Sequence, residues 1–413
     1  MKNYSRSFAG AALWALLSCA TAPILLAIPA PAQAETVRPE VGKPLQEAGN
    51  LLRAQKYREA LSKIGEADAV GGKTSYETYL IGRMRVSAAS GLGDAATAAS
   101  ALDAVIASGH ATPAERLQMI QAVAIAFYRD KDYAKAGQWI QRYNKEGGSD
   151  PSMRQMLVQT YYLSNDCASV SRELQPAVQN EGGRPPSEED LQLLASCYQR
   201  LGDKGGYANA MEKLVSYYPK KDYWAELLTR TQNKPGFSSR LDLDLYRLKF
   251  LTGNLTAPGD YLEMAQLDLE AGYPAEAKKV VDQGFTAKIL GSGPDAARQQ
   301  RLRDLVTKSI ADAQSAASQR ESEADASKEG DALINLGFAA VTEGKFDKGL
   351  ALMEKGMAKG TLKHPEDAKL RLGIAYLLAG KKPKGREVLR SVKGADGTQE
   401  IARMWLIQSG STT

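Results

Sequence analysis

The chain has few of the side chains that metal sites and many enzymes depend on. Its 413 residues include two His and three Cys, and the net charge is only +5. Zinc sites and histidine-based acid–base catalysis need such side chains in close sets, and a charge this small does not by itself predict nucleic-acid binding. Gly-x-Ser-x-Gly, His-Glu-x-x-His and phosphate-loop motifs do not occur. We therefore assign no catalytic residue, no metal ligand and no cofactor.

Long apolar runs are confined to the N-terminus. Lys2 and Arg6 precede an apolar stretch that reaches Ile28, and the small-residue triplet Ala32-Gln33-Ala34 follows. This order is typical of a secretory signal peptide, here cleaved after Ala34. No later segment approaches the roughly 18 consecutive apolar residues of a membrane span. The sequence therefore predicts export to the bacterial periplasm and no membrane span once the signal is removed.

An alternative interpretation of the same segment uses Leu16-Leu17-Ser18-Cys19. These residues resemble the lipobox of bacterial lipoproteins. Lipid attachment at Cys19 would anchor the protein instead of releasing it, although it would leave the apolar residues up to Ile28 in the linker.

Helical periodicity and a repeat of about 34 residues characterise the rest of the chain. The segments that begin at Leu52, Tyr128 and Thr342 align with one another. Each has an aromatic residue three positions before a small residue, directly after a helix-breaking turn. Strand patterns are scarce, and Thr112-Pro113-Ala114-Glu115 has the spacing of a capping box at a helix start.

This pattern resembles the tetratricopeptide repeat (TPR), a helix–turn–helix unit in which small residues let the two helices approach closely. The resemblance places units near residues 41, 79, 117, 151, 188, 258, 330 and 366. The small residues of the first helices would be Ala48, Ala124, Ala195, Ala265, Gly337 and Gly373. Those of the second helices would be Ala60, Ala98, Ala136, Ala277, Gly349 and Gly385. The resemblance implies an all-α fold, an α-solenoid of about eight TPR-like units.

Two segments depart from the repeat. Residues 221–257 have the pattern of irregular helices broken at Asn233-Lys234-Pro235-Gly236, and residues 294–328 that of a long polar helix before a hinge. We interpret Asp242 and Asp244 as solvent-facing. The expected organisation is a signal peptide (1–34), an N-terminal TPR-like array (35–220), a middle part with one TPR-like unit (221–330) and a C-terminal TPR pair with a capping helix (331–413).

Cys167 and Cys197 remain after removal of the signal peptide. In the repeat frame, Cys167 lies at the turn of the fourth unit and Cys197 near the end of the first helix of the fifth. These places have similar height in adjacent units, so a bridge is geometrically possible. Export favours a disulfide; the alternative is two unpaired, buried small side chains.

The resemblance also implies a binding surface. In TPR proteins the concave face is lined by defined positions of the first helices. Transferred to this sequence, those positions give Gln121, Tyr128, Gln155, Gln159, Tyr162, Gln192, Gln199 and Arg200. Amides can pair with a peptide backbone and tyrosines add contact area. The alternative is that exposed helix positions are simply polar.

Two classes of function follow. The leading hypothesis is a non-enzymatic scaffold or adaptor of the bacterial cell envelope that binds protein or peptide partners in its concave groove, and no nucleic acid. The alternative is a small-molecule binder or enzyme with a site in the irregular region 221–260. Residues 345–393 carry 13 Lys or Arg against 5 Asp or Glu, a local charge of 13 − 5 = +8. That charge belongs either to a surface for an anionic partner or to a solvated face.

Overall fold

The computed structural model describes residues 36–179 and 185–410. The predicted signal peptide and Cys19 lie outside these residues. Every regular element in them is helical, comprising 21 α-helices and one 3-10 turn at Ser239–Leu241. The prediction of an all-α fold is confirmed. None of the helices within the described ranges is both long and apolar enough to cross a membrane.

The helix bounds follow the predicted repeat closely. The helices before the irregular region are α1 (Pro39–Arg53), α2 (Tyr57–Asp68), α3 (Ser75–Leu92), α4 (Ala95–Ser108), α5 (Pro113–Arg129), α6 (Tyr133–Lys145), α7 (Pro151–Leu163), α8 (Cys167–Val178), α9 (Glu188–Leu201) and α10 (Lys204–Tyr217). Those after it begins are α11 (Lys221–Gln232), α12 (Asp242–Leu251), α13 (Pro258–Glu270), α14 (Pro274–Thr286), α15 (Ala296–Ser315), α16 (Ala317–Ala326), α17 (Asp331–Thr342), α18 (Phe346–Ala358), α19 (Pro365–Leu378), α20 (Lys382–Ser391) and α21 (Thr398–Gln408).

The chain divides into two compact units, with the division between Ala126 and Phe127 inside α5. In the first unit, α1 packs against α2, α3 packs against α4, and α2 contacts α3. Arg38, which precedes α1, donates hydrogen bonds to the fully buried carboxylate of Glu77 at the start of α3. Hydrogen bonds from Arg38 and from the Thr74 backbone lower the pKa of Glu77 to about 2.

In the second unit, successive helices again pack as hairpins: α7 with α8, α9 with α10, α13 with α14, α17 with α18, and α19 with α20. One hydrophobic core runs from Val158 to Ile407. The predicted domain boundaries after residues 220 and 330 both fall inside this unit. That these boundaries delimit separate parts of the chain stays a prediction.

The small residues expected at the close-packing positions are buried. Ala48, Ala60, Ala136, Ala265 and Ala277 have no exposed surface. The glycine pair of α17 and α18 shows why small residues are needed there. A Cβ atom on Gly337 would lie 2.5 Å from the Gly349 carbonyl oxygen, and one on Gly349 would lie 2.6 Å from the Gly337 oxygen. These distances are too short for any side chain, so the two backbones pack directly against each other.

Local signals fixed the helix starts. The backbone N–H of Glu115 donates to Thr112 Oγ1 at 3.2 Å, and the Thr112 N–H donates to Glu115 Oε2 at 3.1 Å. This reciprocal pair is the predicted capping box. Pro151 and Pro365 are the first residues of α7 and α19, where a missing N–H costs no helical hydrogen bond.

The two segments that interrupt the repeat differ in detail from the expectation. The irregular region breaks between α11 and α12, as predicted, but the polar segment forms two helices that are separated at Ala316. The break lets α16 contact α17 and bury Ala324. The last helix, α21, buries Ile401, Trp405 and Leu406 against α10, α12, α19 and α20, so it packs into the middle of the unit as well as onto the last hairpin.

The interpretation of Asp244 as solvent-facing is wrong. Its side chain has no exposed surface, whereas that of Asp242 is half-buried. Asp244 accepts hydrogen bonds from Arg247 at 2.6 Å and from Arg371 at 3.3 Å. A carboxylate can be buried when cations neutralise it, and one of these two comes from α19, 127 residues along the chain.

Candidate protein-binding surface

The predicted groove residues of the second unit lie on α5, α7 and α9, the first helices of three successive repeats. We use the name tyrosine–glutamine surface for Tyr128, Gln155, Gln159, Tyr162, Gln192, Gln199 and Arg200. Gln155, Gln192, Gln199 and Arg200 are exposed, and the two tyrosines and Gln159 are half-buried. Gln121, also predicted, is half-buried on α5 but belongs to the first unit.

Hydrogen bonds connect this surface from helix to helix. Tyr128 Oη donates to Gln159 Oε1 at 3.2 Å, and Gln159 Nε2 donates to Glu189 Oε1 at 3.2 Å. Gln155 Nε2 lies 3.4 Å from the second oxygen of Glu189. Glu189 therefore joins the two glutamines of α7 to the first turn of α9.

A second set of contacts lies at the carboxyl ends of α7 and α9. The Tyr162 and Ser196 hydroxyls are 3.0 Å apart. The Arg200 guanidinium stacks 4.3 Å from the centre of the Tyr162 ring, and its Nη1 donates to Asn165 Oδ1 at 3.2 Å. Stacking and hydrogen bonding together hold the tyrosine ring in one position.

Helix α11 continues the surface although its sequence departs from the repeat. Gln192 Nε2 donates to the Tyr223 hydroxyl, which in turn donates to Glu188. Lys220 pairs with the same carboxylate at 2.5 Å. Hydrogen bonds from Lys220 and then from Tyr223 lower the pKa of Glu188. The carboxylate is thus held charged at the edge of the surface.

Sequence reasoning omitted Glu189, Ser196 and Tyr223. A signal for the first two was available, because they occupy the second and ninth positions of a first helix, which the same family pattern assigns to the concave face. Tyr223 had no such signal, since α11 does not fit the repeat. Its place in the surface follows only from the packing of α11 against α10.

The chemistry of the surface is suited to binding. Gln155, Gln159 and Gln192 are already hydrogen-bonded within the protein, so their orientations are set before any partner arrives. Gln159 Oε1 and Nε2 each have one bond among the described residues, and each can form one more. Within the described ranges, no group of three or more His, Cys, Asp or Glu side chains is placed to hold a metal ion.

Cys167 and Cys197 are joined in a disulfide, as the sequence favours. Cys167 begins α8 and Cys197 lies within α9, and their Cα atoms are 5.0 Å apart in a disulfide. That separation is within the usual range for a bridge. Both residues are buried. The bond fixes the α7–α8 hairpin to the helix that carries Gln192 and Arg200.

The irregular region 221–260 is the alternative location for a small-molecule or catalytic site, and part of it lines a cavity. A cavity of about 1030 Å³ lies between α10, α11, the segment 233–235 and α21. It takes residues from only the first part of the region, Glu226 to Pro235, and it also takes Glu400 and Arg403 from α21. The cavity is therefore built by tertiary packing and not by the irregular segment alone.

The basic C-terminal helices are largely neutralised by nearby carboxylates. Lys348 pairs with Glu321 and Lys384 pairs with Glu354. Further pairs join Lys355 to Asp325, Lys369 to Glu366 and Lys381 to Asp347. These pairings favour the interpretation as a solvated face.

Two solved structures are distantly similar to this chain. No protein-family model and no curated protein matches the sequence. Among solved structures, the chain is similar to yeast Tom70, with 10% identity over 90% of this chain and 95% of that one, at a TM-score of 0.23. It is also similar to the TPR domain of P58(IPK), with 13% identity over 89% and 98% of the two chains, at a TM-score of 0.21.

These likenesses are too weak to carry an argument, so the class is defined by the structure itself. Tandem helical hairpins with small residues at the contact of their two helices, at the spacing read from the sequence, are those of a TPR-like helical-repeat protein.

Proposed function

We propose that this protein is a non-enzymatic scaffold of the bacterial cell envelope, which holds an extended segment of a partner protein on the tyrosine–glutamine surface. The observation that carries the proposal is the continuous set of hydrogen bonds from Tyr128 through Gln159 to Glu189. It spans three repeat units and presents donors, acceptors and aromatic rings in fixed positions. Such pre-ordered side chains lose little conformational entropy when a partner binds.

The charges of the surface suggest how a partner would lie. Glu188 and Glu189 lie in the first turn of α9, and Arg200 lies in its last turn. A bound segment with basic residues toward one end of α9 and acidic residues toward the other would complement both. Tyrosine and arginine are among the side chains that most often contribute large shares of binding energy at protein interfaces.

The binding part of the proposal is tested with peptides selected from a random display library on the purified protein. Tyr162→Ala and Gln159→Ala should each weaken the selected peptides at least several-fold. Gln283→Ala is the matched control because Gln283 is exposed on α14, away from this surface. Peptides that bind all four proteins equally would overturn the assignment of the surface.

The envelope part rests on the N-terminal pattern and needs its own test. N-terminal sequencing of the protein purified from the periplasm should give Glu35. Cleavage before Cys19 with a lipid attached would establish the lipoprotein alternative, and retention of the first 34 residues would contradict both.

A further inference from the structure

The second candidate location is the cavity between α10, α11 and α21. Its volume of about 1030 Å³ is at the upper end of the range for small-molecule pockets. Ala208, Leu227 and Pro235 line it with apolar side chains, and Leu227 is buried. A carbon-lined cavity of this size favours a ligand with an extended apolar body.

Charged side chains stand around this apolar wall. Four are cationic and three are acidic: Lys204, Arg230, Lys234 and Arg403, against Glu212, Glu226 and Glu400. The lining therefore has a formal charge of 4 − 3 = +1. The sign of the ligand depends on which of these charges are already neutralised.

The acidic groups have partners within the protein. Glu212 accepts from Arg403 Nε at 2.9 Å, and Lys234 pairs with Glu400. Glu226 accepts a hydrogen bond from the Tyr207 hydroxyl at 3.0 Å and keeps its negative charge. Two cations without an ion pair among the described residues, Lys204 and Arg230, therefore stand against one such carboxylate.

The cationic groups are less fully used. The Arg230 guanidinium lies 4.1 Å from the centre of the Tyr207 ring and forms no ion pair among the described residues. Lys204 is exposed and likewise has no ion pair there. Arg403 donates through Nε, so the two terminal nitrogens of its guanidinium keep their N–H groups for another acceptor.

We propose that this cavity binds an amphiphilic anion, a molecule with an apolar body and one carboxylate or phosphate head. The apolar body lies against Ala208, Leu227 and Pro235, and the head is held by Arg230, Lys204 and the free end of Arg403. Because α21 supplies Arg403 and α10 supplies Lys204, a bound molecule bridges the C-terminal helix and the middle of the second unit. The site is separate from the tyrosine–glutamine surface, so it adds a ligand to the proposed scaffold.

The test uses four probes with nearly equal straight alkyl chains and different head groups: dodecanoate, dodecyl phosphate, dodecyltrimethylammonium and dodecanol. Each is titrated calorimetrically into the purified protein, the three ionic probes below their micelle concentrations and dodecanol below its solubility limit. The two anions should bind at least ten-fold more tightly than the ammonium probe. The ratio between dodecanoate and dodecyl phosphate identifies which head the site prefers. Equal binding of the ammonium probe, or no saturable binding of either anion, would overturn the proposal.

Two substitutions locate the site. Arg230→Gln and Lys204→Gln each remove a cation that has no ion-pair partner, so folding should be preserved. Each should weaken anion binding about five-fold or more and leave dodecanol binding unchanged. Arg298→Gln, an exposed change on α15 outside the cavity, is the matched control and should bind like the unmodified protein. Unchanged anion affinity in both Arg230→Gln and Lys204→Gln would show that the head is not held here.

A second measurement tests the bridge. A ligand that binds only the folded protein raises its melting temperature, so saturating dodecanoate should raise Tm and slow amide hydrogen exchange in α10 and α21 together. A diazirine-bearing dodecanoate should crosslink to peptides from α10, from α11 and from the segment 233–235, which its tail contacts. Crosslinks confined to helices that do not line the cavity would contradict the location.

Discussion

Arg247 Nη2 lies 4.0 Å from Asp268 Oδ1, and both side chains are almost completely buried. The guanidinium makes its hydrogen bonds elsewhere, to Asp244 at 2.6 Å and to Glu276 at 2.7 Å. Burial, and then the negative charge of Glu276, raise the pKa of Asp268 to about 10. We therefore expect Asp268 to be protonated at pH 7, because neither of its buried carboxyl oxygens has a hydrogen-bond partner among the described residues.

The first prediction concerns the pH dependence of stability. The folded pKa of Asp268 is above its unfolded value, which is near 3.9. The contribution of Asp268 to the free energy of unfolding is fully present below the unfolded pKa. It is lost as the pH rises from there through the folded pKa of about 10. Asp268→Asn keeps a neutral side chain at every pH. In urea titrations from pH 5 to 9, the unmodified protein should lose stability relative to this variant by up to about 1.4 kcal/mol per pH unit.

The control is Asp304→Asn, since Asp304 is exposed on α15. Its stability should follow the curve of the unmodified protein. If Asp268→Asn also follows that curve, Asp268 is not held protonated.

The second prediction concerns the arginine of the same cluster. Arg247→Met would leave the carboxylates of Asp244 and Glu276 without their shared cation in the protein interior. Removing one partner of a buried pair costs about 3–5 kcal/mol. Hydrogen exchange should show the loss in α12, α14 and α19. Arg298→Met, at an exposed position, should change stability by no more than about 0.5 kcal/mol; a similar small effect at Arg247 would mean that the cluster contributes little.

The third prediction separates helix propensity from packing. An alanine normally stabilises a helix by about 1 kcal/mol relative to glycine. Gly65→Ala on α2 should show this gain, because nothing lies within 4 Å of the added Cβ. Gly337→Ala should instead destabilise the α17–α18 hairpin, since its Cβ would lie 2.5 Å from the Gly349 oxygen. Thermal unfolding of the two variants compares them directly, and a gain at Gly337 would disprove direct backbone packing.

The fourth prediction concerns the disulfide. Cys167 and Cys197 are 30 residues apart, and a loop of that length restricts the unfolded chain by roughly 3.5 kcal/mol in the loop-entropy model. Cys167→Ser or Cys197→Ser should lower Tm and make α7 to α9 more sensitive to protease. The α17–α18 hairpin should keep its protection, because the helices it contacts are α14, α16 and α19 and not α7 to α9. Two free thiols in protein purified without reductant would rule the bond out.

Much of the fold could be predicted because its signals are local. The repeat of about 34 residues, the small residues at Gly337 and Gly349, and the capping box at Thr112 each depend on residues close in sequence. Six of the eight predicted unit starts lie within about three residues of an observed helix start, and the other two within four. The candidate surface was partly predictable for the same reason, since the fifth repeat position gives Gln155 and Gln192 and the ninth gives Gln159.

The sequence by itself determined the helical hairpins, their close-packed contacts and the pairing of Cys167 with Cys197 as the favoured arrangement. Only the tertiary structure decided that Asp244 is buried, that α21 packs against α10, and that a cavity forms between them. The physical reason is the distance along the chain. Arg371 lies 127 residues from Asp244 and Arg403 lies 191 residues from Glu212. No periodicity within a repeat specifies which distant charge will neutralise a buried one, so these contacts appear only when the hairpins pack together.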